Sequence, residues 1–210
     1  MNSGYPVILR LEGKRVVVVG GGKVAERKVS GLLGTGAKVV VVSPEATEEI
    51  QMLHHDGKIV WKQKPFAAGD IDDAFLIFAA TNSNQLNQLI KKSIQPHQLV
   101  TLADDPADSD FYVPAHVQRG SLSIAISTGG ASPTLASQIR EQLEQQFDES
   151  YVGYLDFLAS KRSWILNEVT NPLLKRKLLK SIVSPAFLAS EHREEDFIQL
   201  YESLLTEIGE

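Results

Sequence analysis

Gly20-Gly21-Gly22-Lys23-Val24-Ala25 follows directly on Val16-Val17-Val18-Val19. Small residues at Gly20, Gly22 and Ala25 fit the G-x-G-x-x-A turn that receives a dinucleotide. Gly20 suits a tight turn, Gly22 removes a Cβ from the path of a pyrophosphate, and Ala25 lets the next helix lie close to its strand. The orphan N–H groups at the start of that helix, in the Lys23-Val24 stretch, then face the phosphates. The alternative is a glycine turn that only packs a helix on a sheet.

Other residues extend the same chemistry. Ser43-Pro44-Glu45 stands about 20 residues beyond the glycines, where many NAD-binding domains place an acidic residue on the ribose hydroxyls. Ser43 can hydrogen-bond a ribose, and no arginine beside it awaits a 2′-phosphate. Thr81 and Asn82 follow the apolar run Ala74–Ala80 and suit contact with the nicotinamide half, or a plain turn. Asp104 ends the run Leu99–Ala103, at the sheet edge where open α/β folds bind ligands. His116 is a lone imidazole able to take a proton or to hold a metal transiently, though single histidines are more often exposed or structural. Thr128-Gly129-Gly130 and Ser132 offer hydroxyls and N–H groups to an anion at the start of a helix, or simply turn and cap the chain. Arg27, Lys28, Arg119 and Arg140 can attract carboxylates. Arg27 and Lys28 lie one turn into the first helix, where a cation opposes the local dipole.

The elements needed to position these groups are legible as alternating strand and helix patterns. Strands are expected at Arg15–Val19, Lys38–Ser43, Lys58–Gln63, Ala74–Ala80 and Leu99–Ala103, with helices at Lys23–Leu33, Thr47–His55 and Asn84–Ile94. That alternation implies a parallel sheet with right-handed crossovers, a Rossmann-type α/β domain over 1–113. From Phe111 the pattern changes. Leu122, Ile124 and Ile126 alternate with small or polar residues after the Arg119-Gly120 turn, which predicts a small antiparallel element. Its apolar face needs cover, and a second subunit is one candidate. Ser132-Pro133 then opens a helix to about Phe147. A central region over 114–148 and an all-helical C-terminal domain over 149–210 complete the expected organisation. The helical patterns there run through Leu155, Phe157 and Leu158, then Leu173, Leu174, Leu178, Leu179 and Ile182, then Phe197, Ile198, Tyr201, Leu204 and Leu205.

Composition narrows the classes. The formal charge of −5 supplies no global positive field for nucleic acid. With no cysteine there is no disulfide, catalytic thiol or thiolate metal site. The histidines show no metal-ligand spacing, so no resident metal is expected. No apolar stretch approaches the ~20 residues that span a bilayer, and no membrane partner is expected. Met1–Glu12 has neither a long apolar core nor a cationic leader, so the expected location is cytoplasmic.

Taken in order, the glycine turn through Lys28, then Ala79-Ala80-Thr81, then Asp104 with Phe111 and Pro114, then Thr128–Pro133, resemble the precorrin-2 dehydrogenase family of sirohaem biosynthesis, which includes the N-terminal part of sirohaem synthases. The resemblance covers roughly Pro6 to Leu143. It implies NAD-dependent oxidation of precorrin-2 to sirohydrochlorin, in some members with insertion of Fe2+. It also implies a homodimer joined through the central region. The methyltransferase domain fused in some relatives lies outside the resemblance, so making precorrin-2 is expected of another protein. Carried onto this chain, Asp104 is the candidate for proton handling, with His116 second. Thr128, where some relatives have serine, joins Gly129, Gly130, Ser132 and Arg119 as candidates to meet the eight carboxylates of the substrate. Two other functions stay open: a sirohydrochlorin chelatase without dehydrogenase activity, and a non-enzymatic NAD-sensing module. The second anion-receiving helix argues against a pure sensor.

Overall fold

The computed structural model describes residues 4–208. The chain divides between Val113 and Pro114 into two compact units.

In the first unit, β1 (Arg15–Val19), β2 (Lys38–Val42), β3 (Val60–Lys62), β4 (Leu76–Ala79) and β5 (Leu99–Leu102) form one sheet in the order β3-β2-β1-β4-β5. Every pairing is parallel. The four valines of β1 occupy the centre, each at most 1% exposed, as strands covered on both faces require. Helices α1 (Lys23–Leu32) and α2 (Glu48–His55) pack Ala25, Val29, Leu32, Ile50 and Leu53 against Val16, Val18, Val39 and Val41. Helix α3 (Asn84–Ser93) places Ile90 on the opposite face, against Val17, Val19, Ile77 and Val100. Crossovers of one hand demand this split, because the chain winds outward from β1 towards β3 and then in the other direction from β4 to β5.

Two elements are shorter than the sequence patterns suggest. The strand expected over Lys58–Gln63 pairs only at Val60–Lys62, because β3 is an edge with one neighbour and Val60 is half exposed. The run from Ala74 begins in a turn, Ala74 N–H bonding Ile71 O at 3.0 Å, before pairing starts at Leu76.

The crossover from β3 to β4 is held by Asp70, which is 4% exposed. Its carboxylate pairs with Lys62 at 3.2 Å and with Lys64, and accepts the Ala67 N–H at 3.0 Å. Burial alone pushes this carboxyl up, but Lys64, the Ala67 N–H and Lys62 outweigh it and hold it below its usual value. A depressed folded-state value stabilises the fold above the unfolded value of ~3.9, and that stabilisation is lost as pH falls through the folded one. Thermal melts against pH should therefore show an acid-side decline that flattens in Asp70→Asn, which should also melt lower at pH 7. An unchanged acid limb in the variant would show that Asp70 does not contribute to it.

In the second unit, β6 (Ala115–Arg119) and β7 (Leu122–Ile126) form an antiparallel hairpin. The sequence pattern had marked only the second of these as a strand. Its apolar face is covered from within the same chain: α4 (Pro133–Gln146) lays Ala136, Ile139 and Leu143 on Val117, Ile124 and Ile126. Cover for Ile124 and Ile126 thus comes from within the chain, while Leu122 lies outside that cluster. Helices α5 (Ser150–Glu168), α6 (Pro172–Ser181), α7 (Pro185–Ala189) and α8 (Arg193–Ile208) enclose a separate cluster of Phe157, Ile165, Leu174, Leu178, Phe197 and Leu204. Leu173 and Ile198, included in the helical patterns, lie on exposed faces instead.

Candidate functional site

Parallel strands bring the carboxyl ends of β2, β1, β4 and β5 to one edge. Ser43, Gly20–Gly22, Thr81 and Asp104 follow those four ends in turn. Three strand spacings separate β2 from β5, about 14 Å. The chain reverses its winding direction between β1 and β4, which marks the crevice where open α/β sheets bind ligands.

The three glycines are demanded by different things. Gly20 has φ +122°, and a Cβ there would overlap the Ala80 carbonyl. A Cβ on Gly21 would overlap the Glu45 carbonyl, while Gly21 O accepts the Thr47 N–H at 2.9 Å. Gly22, the N-cap of α1, has an ordinary extended backbone at φ −84° and nothing within 4 Å of where its Cβ would be. The protein packs tightly around the first two and leaves the third open. The space at Gly22 leaves room for a group from outside the chain, and a pyrophosphate on the first N–H groups of α1 would fit there. Sequence reasoning missed Gly21, because the motif leaves its position unspecified.

The neighbours serve this loop in different ways. Ala25 is fully buried against the sheet, while Lys23 and Val24 are exposed. Lys23 Nζ pairs with Glu26 at 3.0 Å. Ser43 is buried at the end of β2, its carbonyl accepting Trp61 Nε1–H at 3.0 Å, and Pro44 beside it is exposed. Asn82 is exposed.

Thr81 and Asp104 are joined by Asn87, which the sequence reading overlooked. Asn87 is wholly buried on α3. Its Oδ1 accepts from Thr81 Oγ1 at 2.7 Å and from Thr81 N at 3.3 Å. Its Nδ2 donates to Thr81 O at 3.3 Å and to Asp104 Oδ1 at 2.8 Å. Asn84 Nδ2 donates to the other Asp104 oxygen at 3.1 Å. Both carboxylate oxygens are thus oriented by amides, and the residue itself stays exposed. A polar residue at one buried position of an otherwise apolar helix face was the available signal. Asn87→Ala strands the Thr81 amide and loosens Asp104, so a loss of about 2–4 kcal/mol in stability is expected in denaturant titrations. A loss of less than about 0.5 kcal/mol would contradict this network.

The remaining predicted residues lie in the second unit. His116 is exposed on β6, opposite Ala125. Arg119 is committed: it donates to Gln118 O at 2.8 Å and Glu144 O at 3.4 Å. Its Nε also stands 3.3 Å from Glu149 Oε1, close enough for attraction though not aligned as a hydrogen bond. The Thr128–Ser132 loop closes on itself, with Thr128 Oγ1 accepting from Ser132 N and donating to Ser132 O, both at 3.1 Å. Ser132 Oγ caps α4 by accepting Leu135 N–H at 3.1 Å. Gly129 N–H bonds Ser127 Oγ at 3.1 Å, and Gly129 and Gly130 both hold positive φ. Among the described residues, no three His, Cys, Asp or Glu side chains gather as a metal site, and no helix is long and apolar enough to cross a membrane.

The sheet order, the switch-point crevice and the open Gly22 define a dinucleotide-binding α/β protein. A family model for NAD(P)-binding matches residues 7–115, and one for the central part of sirohaem biosynthesis proteins matches 119–146. The chain is 37% identical to a precorrin-2 dehydrogenase of Priestia megaterium over 94% of its own length and 98% of that protein's. It is 32% identical to a precorrin-2 dehydrogenase of Bacillus subtilis over 75% and 97% of the two lengths. A sirohaem synthase of Xylella fastidiosa is 36% identical over 86% of this chain, which spans 38% of that longer protein. A solved structure described as SirC, precorrin-2 dehydrogenase, superposes with a TM-score of 0.82 at 37% identity, covering 95% of this chain and all of that one. The chain belongs to the precorrin-2 dehydrogenase family.

Proposed function

We infer that the protein oxidises precorrin-2 to sirohydrochlorin with NAD as the acceptor, in sirohaem biosynthesis. The observation that carries the nucleotide site is Gly22, whose missing Cβ no atom of the chain requires. Kinship over nearly the full length of a precorrin-2 dehydrogenase carries the choice of substrate.

NAD, when bound, supplies the hydride acceptor. The residues that would hold it are the α1 N-terminus at Gly22–Val24 for the pyrophosphate, Ser43 and Pro44 on the ribose side, and Thr81 and Asn82 on the nicotinamide side. Oxidation removes one hydride and one proton from the macrocycle, so a base beside the reacting ring is needed. Asp104 is that base in our reading: it is exposed at the edge, and its two oxygens are aimed by Asn84 and Asn87. A lone pair remains on each oxygen to take the proton. The start of α4 suits a substrate carboxylate chiefly through the helix dipole, since the Gly129, Ala131 and Ser132 N–H groups are already bonded within the loop. Arg119, tied to α4 and Glu149, supports that element instead of reaching for substrate. His116 is left as the second proton acceptor.

Homodimer formation through the central region is part of the same reading. A two-stranded hairpin is marginal alone, and each of β6 and β7 pairs only with the other among the described residues. The organisation follows as a nucleotide domain over 1–113, a dimerisation region over 114–148 and a helical domain over 149–210, in the cytoplasm. Anaerobic mixing of the protein with precorrin-2 and NAD should give NADH and sirohydrochlorin in equal amounts. Nucleotide binding without turnover would reject the enzyme. Adding Fe2+ to the same cuvette then reads chelation: sirohaem spectra faster than the protein-free control would add ferrous iron to the substrates.

A further inference from the structure

A hollow of about 160 Å3 opens at the carboxyl ends of β4 and β5 on the α1 face, lined by Phe78, Ala80, Thr101, Ala103, Tyr112 and Lys28. Ala103 immediately precedes Asp104, whose carboxylate turns to Asn84 and Asn87 on the α3 side of the same sheet edge. Its walls are mostly apolar and Lys28 is its one charged lining residue. Lys28 Nζ lies 6.0 Å from the centre of the Phe78 ring and forms no ion pair among the described residues. Helical Cα–Cβ bonds tilt towards the helix N-terminus, which carries this side chain up towards the edge. Its place in the second turn of α1 gains nothing from the helix dipole. Burial, and then the neighbouring Arg27, push its ammonium below the usual lysine value. A half-buried cation with only an aromatic face beside it is costly unless a ligand supplies the anion.

We propose that this hollow seats one carboxylate-bearing arm of the tetrapyrrole, with Lys28 as its counter-charge and Phe78 and Tyr112 as its apolar and aromatic walls. The inference rests on the function proposed above and adds to it a specificity-determining residue. The hollow is smaller than the roughly 300–1,000 Å3 that drug-sized ligands take, which suits a limb of the macrocycle. The charge decides between the two bound partners, because a cation suits a carboxylate and repels the positively charged nicotinamide ring. An arm fixed here would anchor the macrocycle at the carboxyl edge of the sheet and would discriminate against macrocycles lacking an acid at that position.

The test uses Lys28→Gln and Lys28→Arg in the full chain, with sirohydrochlorin and NAD each titrated separately and steady-state kinetics on precorrin-2. Lys28→Gln should weaken sirohydrochlorin binding and raise KM for precorrin-2 by on the order of tenfold, the loss expected of one charge-assisted contact. Its kcat and NAD Kd should stay within about twofold of the parent, as removal of uniform binding predicts. Lys28→Arg should recover most of the lost affinity. Unchanged sirohydrochlorin affinity in Lys28→Gln, or an equal loss of NAD affinity, would overturn the assignment. Failure of the parent protein to make NADH from precorrin-2 would instead reject the underlying function, and the sirohydrochlorin titrations would still read the hollow.

Discussion

Gly22→Ala is expected to fold as the parent does and to lose NAD. The backbone at Gly22 is in a region that alanine adopts freely, and no atom stands within 4 Å of the new methyl. Its melting temperature should therefore move by no more than about 2 °C. NAD affinity should fall on the order of 100-fold, since the methyl keeps the phosphates from two or more charge-assisted N–H contacts. Gly21→Ala provides the contrast. There the methyl meets the Glu45 carbonyl, so the loop must move and stability should fall with binding. Calorimetric titration with NAD beside thermal melts separates the two. If Gly22→Ala bound NAD as the parent does, the pyrophosphate would not lie on this turn.

Asp104→Asn should cut kcat for precorrin-2 oxidation by on the order of 100-fold or more, the usual scale for a lost general base. NAD affinity should be unchanged, because Asp104 lies two strands away from the glycine turn. Folding should survive as well. An amide oxygen can still accept from Asn87, and the exposed Asn84 amide can rotate to accept from the new NH2. A full-speed Asp104→Asn enzyme would remove the proton-handling role. Equal losses in kcat and in NAD affinity would make Asp104 a part of the nucleotide site.

The first unit was legible in the sequence because its signals are local. Valine runs mark strands buried on both faces, and glycines with an alanine mark the turn between β1 and α1. The boundaries that slipped, at β3 and before β4, are set by which strand is an edge and where a turn closes, and neither is local. The helix that packs on β7 was not legible for the same reason: periodicity shows that a face is apolar but not that α4 returns to cover it. Within the site, Gly21 and Asn87 escaped because their constraints come from distant chain, Glu45 for one and Thr81 with Asp104 for the other. The contacts of Arg119 with Glu144 and Glu149 were not legible, because nothing in its sequence neighbourhood announces them.

The proposed chemistry requires a nicotinamide nucleotide across the carboxyl edge of the five-stranded sheet, with its reactive end near Asp104. A crystal structure of the protein soaked with NAD tests this most directly. Pyrophosphate oxygens are expected within hydrogen-bond distance of the Gly22–Val24 N–H groups, the adenosine towards Ser43 and the nicotinamide towards Thr81 and Asp104. Nucleotide density elsewhere, with the Gly22 turn bare, would contradict it.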